Sequence, residues 1–196
     1  MSNTHQLSRN DLWSLEDYAN KRPLFRSQVM QHKKNRQIPL GPNATLYFED
    51  RLTVQYQIQE MLRIEKVFEA EGIEEELNAY NPMVPDGSNW KATFMIEYTD
   101  PVVRAAQLEK MIGIEDLVWV QVDGFDKVWA IADEDLERSN ETKTSSVHFM
   151  RFELSEAMIK ALKSDKGLSI GVEHMAYTYS IELSGNSKTS LINDLD

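Results

Sequence analysis

Trp90-Lys91-Ala92-Thr93-Phe94-Met95-Ile96-Glu97-Tyr98-Thr99-Asp100-Pro101 is where the chain changes character. Before it, apolar residues recur at helical spacing. Across Lys91 to Tyr98 they alternate, as in a half-buried strand. Asp100-Pro101 then supplies a cap and a first turn, predicting a helix to about Met111. That switch of period predicts an α+β fold, a helical N-terminal half packed on a mixed β-sheet built from βαβ-like units in the C-terminal half.

Working outward downstream, Leu117 to Val122 and Lys127 to Ala132 read as strands joined by Asp123-Gly124-Phe125-Asp126, a hairpin signal. A strand from Val147 to Leu154, a helix capped by Ser155 and a strand from Leu168 to His174 follow. Thr93-Phe94-Met95-Ile96 through Asp100 aligns with His148-Phe149-Met150-Arg151 through Ser155. A duplicated β-α-β unit with right-handed crossovers would explain the match, and so would chance. Upstream, a helical region spans about Asn10 to Arg36, with a kink or fresh first turn at Pro23. Thr45 to Phe48 is a short strand. Asp50 caps a helix over Arg51 to Ala70, with Val54, Ile58, Met61, Leu62 and Phe68 on one side. A short helix runs from Ile73 to Tyr80. The expected organisation is a flexible arm at 1–9, a single domain at 10–183 (helical half 10–82, sheet half 90–183) and a flexible tail at 184–196.

Hydrophobic residues make up 41% of the 196 and charged residues 27%, a globular balance. The net charge of −11 would repel a phosphate backbone, so nucleic acid is not an expected partner. With no cysteine, disulfides, thiolate nucleophiles, zinc ribbons and self-ligated iron–sulfur clusters are excluded. No apolar run approaches the ~18–20 residues of a membrane span, and the polar start lacks a signal-peptide core. The cytoplasm is the expected compartment.

Phosphate-binding and dinucleotide glycine motifs, His-Glu-x-x-His, Gly-x-Ser-x-Gly and Glu-x-x-His pairs are absent from the sequence. Chemistry must therefore come from dispersed residues. His32, His148 and His174 fall on apolar faces, where an imidazole needs a hydrogen-bond partner or a metal. If the strands bearing His148 and His174 were parallel, those rings would lie ~20 Å apart. On the helix from Arg51, Gln57 and Glu65 fall inside the apolar arc, with Arg51 at its edge. A buried carboxylate there could move protons or bind a metal, or pair with a base of the first helix. Lys21, Arg22, Arg26, Lys33, Lys34 and Arg36 form a run without an acid. It could face an anionic partner, or lie against the Glu69, Glu71, Glu74, Glu75, Glu76 cluster, the favoured pairing. The polar stretch Glu137-Arg138-Ser139-Asn140-Glu141-Thr142-Lys143-Thr144-Ser145 is either a solvated connector or a donor-rich loop leading to His148 and Arg151.

The combination of segments resembles the domain-of-unknown-function family 3501. It is carried by Phe48-Glu49-Asp50-Arg51 through Arg63, Tyr80-Asn81-Pro82 with Pro85-Asp86-Gly87, Ala132-Asp133-Glu134-Asp135-Leu136 with Arg138-Ser139-Asn140, and Lys143-Thr144-Ser145 with His148-Phe149. The resemblance covers roughly residues 7 to 180. It implies a bacterial or archaeal protein without an established activity, encoded beside rubrerythrin and an iron–sulfur protein of the heterodisulfide-reductase type. It specifies no cofactor and no catalytic residue.

Three functions are carried forward. The first is a non-catalytic accessory or binding protein of a redox or peroxide-detoxification system, with a rubrerythrin-like or iron–sulfur partner. The second is a metal- or cofactor-dependent enzyme, with His32, His148, Glu49 and Glu60 as candidate ligands and Glu65 as a further carboxylate. The third is a small-anion sensor using Arg138, Lys143 and Arg151. Ligand-binding candidates are Arg51, Gln57, Glu65, Arg138, Asn140, Lys143 and Arg151.

Overall fold

The computed structural model describes residues 5–136, 138–140 and 142–196. Met1 to Thr4 of the expected arm, and Glu137 and Glu141 of the polar stretch, lie outside them.

The helical half consists of α1 (Leu15–Lys34), α2 (Arg51–Glu65) and α3 (Ala70–Tyr80). Ser14 caps α1 by accepting from the Asp17 N–H, and acids at its start and bases at its end suit the helix dipole. Pro23 sits inside α1 without ending it. Tyr18, Phe25 and Val29 of α1 bury against Tyr56 of α2, with Trp13 edge-on to Phe25 at 4.9 Å. Asp50 caps α2 as expected, accepting from the Thr53 N–H at 2.9 Å. The helix stops earlier than its pattern suggested, at left-handed Lys66, so Phe68 is 71% exposed rather than part of the apolar side.

The strands are β1 (Gln37–Pro39), β2 (Ala44–Glu49), β3 (Asn89–Ile96), β4 (Val118–Val122), β5 (Val128–Trp129), β6 (Ile131–Ala132), β7 (Val147–Glu153), β8 (Leu168–His174) and β9 (Tyr177–Leu183). Interleaved are α4 (Pro101–Lys110), α5 (Glu156–Lys163) and α6 (Gly185–Ile192). The fold is α+β, but the expected mixed sheet of βαβ units is corrected. Two sheets form, ordered β1-β2-β3-β7-β6 and β5-β4-β8-β9, and every neighbouring pair is antiparallel. The physical reason lies in the connections. The strands flanking α4 go to different sheets, and so do those flanking α5, so neither helix makes a crossover between parallel neighbours. The expected strand Lys127 to Ala132 also divides. The Ala130 N–H still donates to the Val118 carbonyl at 2.8 Å, while Ile131 pairs with Arg151 in the other sheet. One apolar cluster joins the inner faces of both sheets, from Phe48, Trp90, Phe94 and Phe152 to Val118, Val120, Ile170 and Val172.

Both chain ends depart from expectation. The tail is helix α6, whose Leu191 is fully buried and whose backbone accepts from the Trp90 indole N–H at 2.8 Å. Arg36 holds it from below, donating to the Ser190 carbonyl at 3.2 Å and to Asp194 at 2.5 Å. At the N-terminus, Leu7 is buried and exchanges two hydrogen bonds with the Asn81 side chain. Each end carries few apolar residues, yet backbone groups of each are held by distant side chains, Asn81 for Leu7 and Trp90 and Arg36 for α6.

The basic run is a further correction. It does not meet the Glu69–Glu76 cluster. Arg22 pairs with Glu60 at 2.7 Å, Lys21 lies over Trp13, Lys33 over Tyr56, and Arg36 faces Asp50 and Asp194. Arg26 and Lys34 are exposed and Arg36 lies just beyond the end of α1, whereas the glutamates follow the turn after α2.

Candidate functional site

The polar stretch leads into a buried polar cluster, and β7 carries it. Because a strand alternates its side chains, His148 points into the core while Phe149 and Arg151 point outward. His148 is fully buried. Its Nδ1 lies 2.6 Å from Asp133 Oδ2, and its Nε2 lies 3.0 Å from both the Thr144 hydroxyl and the Ser145 carbonyl. The Thr144 hydroxyl is also 3.2 Å from Glu115 Oε2, whose other oxygen accepts from Ser139. The result is a closed chain, Asp133–His148–Thr144–Glu115–Ser139, in which every buried polar atom has a partner. One ligand atom each from Glu115, Asp133 and His148 lies within 4.8 Å of the others.

Local structure explains how distant residues meet. Glu115 sits in a short 3-10 turn, Ile114–Leu117, that leads into β4. Asp133 follows β6 in a left-handed conformation, φ 51°, which a short side chain tolerates better than most. Two bonds to Phe149 clamp it there: its N–H donates to the Phe149 carbonyl at 2.8 Å, and its Oδ1 accepts from the Phe149 N–H at 3.0 Å. Arg138 closes the cover, donating to Asp133 at 3.3 Å and Asp135 at 2.7 Å, with its guanidinium 4.6 Å from the Phe149 ring centre. Next to the cluster, burial and then the charges of Glu115 and Asp133 raise the pKa of Asp116.

On the other side of the same strand lies a cleft of about 400 Å³. Its lining includes Tyr80 and Met83 from α3 and the turn after it, and Phe149, Lys91, Arg151 and Glu49 from the sheet. Glu134 and Asp135, the residues after Asp133, form its rim. Burial, and then Arg151, lower the pKa of Lys91. The cleft and the buried cluster are therefore built from adjacent residues of one strand and one loop.

Of the metal candidates, only His148 joins the cluster. His32 is half-buried and bonded to Asp50. Glu49 accepts from Thr53 at 2.6 Å and lines the cleft. Glu60 takes the Tyr18 hydroxyl and a bidentate Arg22, and the Arg22 bond foremost lowers its pKa to about 2. Of the ligand candidates, Arg151 lines the cleft and Arg138 lies over the ring of Phe149, which also lines it. Asn140 and Lys143 are exposed, Asn140 accepting from the Thr142 and Lys143 N–H groups in a local turn. Arg51 is exposed and paired with Asp11. Gln57 is half-buried, and Glu65 is exposed rather than inside an apolar arc. Asp133, Glu115, Thr144 and Lys91 were not singled out as ligands. Thr144 belongs to the polar stretch and Asp133 to a segment that carries the family resemblance, but Glu115 and Lys91 give no signal beyond their charge.

A family model described as "Protein of unknown function (DUF3501)" matches residues 6–195. A solved structure of a protein of unknown function from Burkholderia pseudomallei is 48% identical and covers 97% of this chain and 100% of its own, with a TM-score of 0.91. No curated protein gives a significant match.

Proposed function

The chain belongs to the DUF3501 family, and from that premise we propose that it is a small-molecule-binding protein whose cleft is ordered by a divalent cation held at Glu115, Asp133 and His148. The observation that carries the proposal is the alternation on β7 and its loop. His148 and Asp133 belong to the buried cluster, while Phe149, Arg151, Glu134 and Asp135 line the cleft. A cation that fixes the loop from inside therefore fixes the cleft wall from outside.

Two carboxylates, one imidazole and flanking hydroxyls suit zinc, manganese or ferrous iron better than calcium or a soft monovalent ion. His148 would supply one ring nitrogen, Nε2 on the side of Glu115 or Nδ1 on the side of Asp133, and each acid one carboxylate oxygen, all within 4.8 Å of one another. Glu115 Oε2 lies 4.0 Å from that Nε2, with the Thr144 hydroxyl between them. The cover of Arg138, Ser139 and Thr144 closes the cluster, which favours a structural ion over an exposed catalytic one.

The test is metal content after purification, then chelation and reloading with Zn²⁺ or Mn²⁺ while thermal unfolding is followed. A stoichiometric ion that raises the melting temperature, and that His148→Ala and Glu115→Gln each abolish, is expected. Failure of the folded wild type to retain either ion, with no shift in melting, would overturn the cation part of the proposal.

The other readings have less behind them. An accessory role beside a rubrerythrin-like or iron–sulfur partner is supported by the family resemblance alone. A small-anion sensor at Arg138, Lys143 and Arg151 would need guanidinium groups that Asp133, Asp135, Glu134 and Glu153 already hold.

A further inference from the structure

We propose that the side-chain amine of Lys91, on the wall of the cleft, is a nucleophile that captures a small aldehyde or ketone as an imine. This chemistry rests on the cleft being the ligand site and not on the cation.

Strand register sets the arrangement. Lys91 is directly opposite Arg151 on β7 and Glu49 on β2. Two cations facing each other across a strand pair repel, unless each finds an acid. Arg151 finds Glu134, through two bonds of 2.8 Å, and Glu153. Glu49 turns to Thr53, and at 3.5 Å to Thr93. Among the described residues, Lys91 is left with no hydrogen bond and no ion pair, half-buried in a cleft that Tyr80, Met83 and Phe149 also line. Partial desolvation and a neighbouring cation are the two devices that release a lysine amine as its free base. Burial, followed by Arg151, lowers its pKa, while Glu134, Asp86 and Glu153 work in the other direction.

The same surroundings define the ligand. Glu49, Glu134 and Asp135 line the cleft and would repel an anion. The apolar lining suits a neutral carbonyl compound with an apolar body. In the reaction, the amine nitrogen bonds to the carbonyl carbon, and the carbonyl electron pair goes to oxygen, which takes a proton. That proton comes from the nitrogen by way of solvent, and the second nitrogen proton goes to Glu49 as the nitrogen electron pair forms the C=N bond and the C–O bond breaks. That carboxyl returns it to the departing hydroxyl, so that amine and carbonyl yield imine and one water.

The experiment treats the full chain with benzaldehyde and sodium borohydride and maps the reduced adduct by peptide mass spectrometry, with thermal shift by benzaldehyde measured in parallel. Labelling of Lys91 ahead of exposed lysines such as Lys34 and Lys160 is expected. Lys91→Arg and Lys91→Met should lose that adduct. Arg151→Gln should move the pH profile of trapping upward, because the repelling cation is gone and two carboxylates are freed. Labelling of Lys91 no faster than the exposed lysines overturns the proposal, and that wild-type comparison stands even if a variant fails to fold. A thermal shift without a Lys91 adduct leaves the cleft as a binding site and removes the nucleophile. Absence of both, with other small apolar carbonyl compounds equally inert, removes the cleft reading too.

Discussion

Replacing Asp194 by Asn should change how stability depends on pH, in a direction opposite to that of an ordinary ion pair. Asp194 lies beneath α6 against the buried Arg36, 2.5 Å from Nη2. Burial is the largest influence on its carboxyl and outweighs Arg36, so it titrates at about 6 rather than 3.8. Asp50, 3.5 Å from Arg36 on the other side, competes for the same cation. A carboxyl whose pKa is raised by folding stabilises the native state fully below about pH 3.8, and that contribution is lost as pH rises through about 6. At ~1.4 kcal/mol per pH unit, the loss is about 3 kcal/mol between pH 4 and 7.5. Asn keeps an oxygen for Arg36 but cannot ionise. Below about pH 6 the native carboxyl is protonated and as neutral as Asn, so Asp194→Asn is expected to be near neutral at pH 4.5 and more stable than the wild type by up to about 3 kcal/mol at pH 7.5. Urea unfolding of both proteins at several pH values reads the difference directly, since the other titrating groups cancel between them. If the difference is flat, or if the variant becomes relatively weaker as pH rises, burial does not dominate at Asp194 and the reasoning fails.

The remaining predictions concern the helical half and its junction with the sheets. Glu60→Gln should remove stability that is present above about pH 4.5 and lost as pH falls toward 2, because Arg22 foremost, then Tyr18 and Arg63, holds this carboxyl low against the effect of burial. Arg22 is partly exposed, so screening limits the loss at pH 7 to about 2 kcal/mol, and melting curves of the two proteins should converge near pH 2. Trp90→Phe should cost about 2–4 kcal/mol, from the lost hydrogen bond to the Leu191 carbonyl and the space left by the indole. Amide exchange should then be faster in α6 than in β3, and equal protection of α6 in both proteins would show that the indole does not anchor it.

What was legible in the sequence follows from the range of each signal. Period and caps are local, so Asp50, Asp100 and Ser155 mark three helix starts correctly, each accepting from a first-turn N–H. Sheet membership is not local. Nothing in Lys127 to Ala132 announces that the chain leaves one sheet at Ala130 and joins the other. The tail gave too little apolar pattern to read, because it is held by single contacts to Arg36 and Trp90 whose partners lie more than a hundred residues away in sequence. The site divides in the same way. His148 stands out because an imidazole among alternating apolar residues needs a partner. Glu115, which supplies part of that partnership, is one acid among 32 until the fold brings it across.

The apparent repeat shows why a pattern must agree in phase as well as in order. The topology does repeat, since β3-α4-β4 and β7-α5-β8 each place one strand in each sheet, and the corresponding strands pair antiparallel. Yet Phe94 is fully buried on the inner face, while Phe149 lines the outer cleft. Since side chains alternate, units packed alike on the core must be related by an even offset within these strands, and the match of Phe94-Met95 with Phe149-Met150 uses an odd one. In register, the residue beside Phe94 on the inner face is His148. The Phe-Met coincidence therefore hid the informative difference. At paired inward positions one strand carries a phenyl ring and the other an imidazole, so the second needs Asp133 and Thr144 of the loop and, behind them, Glu115, and the first needs none.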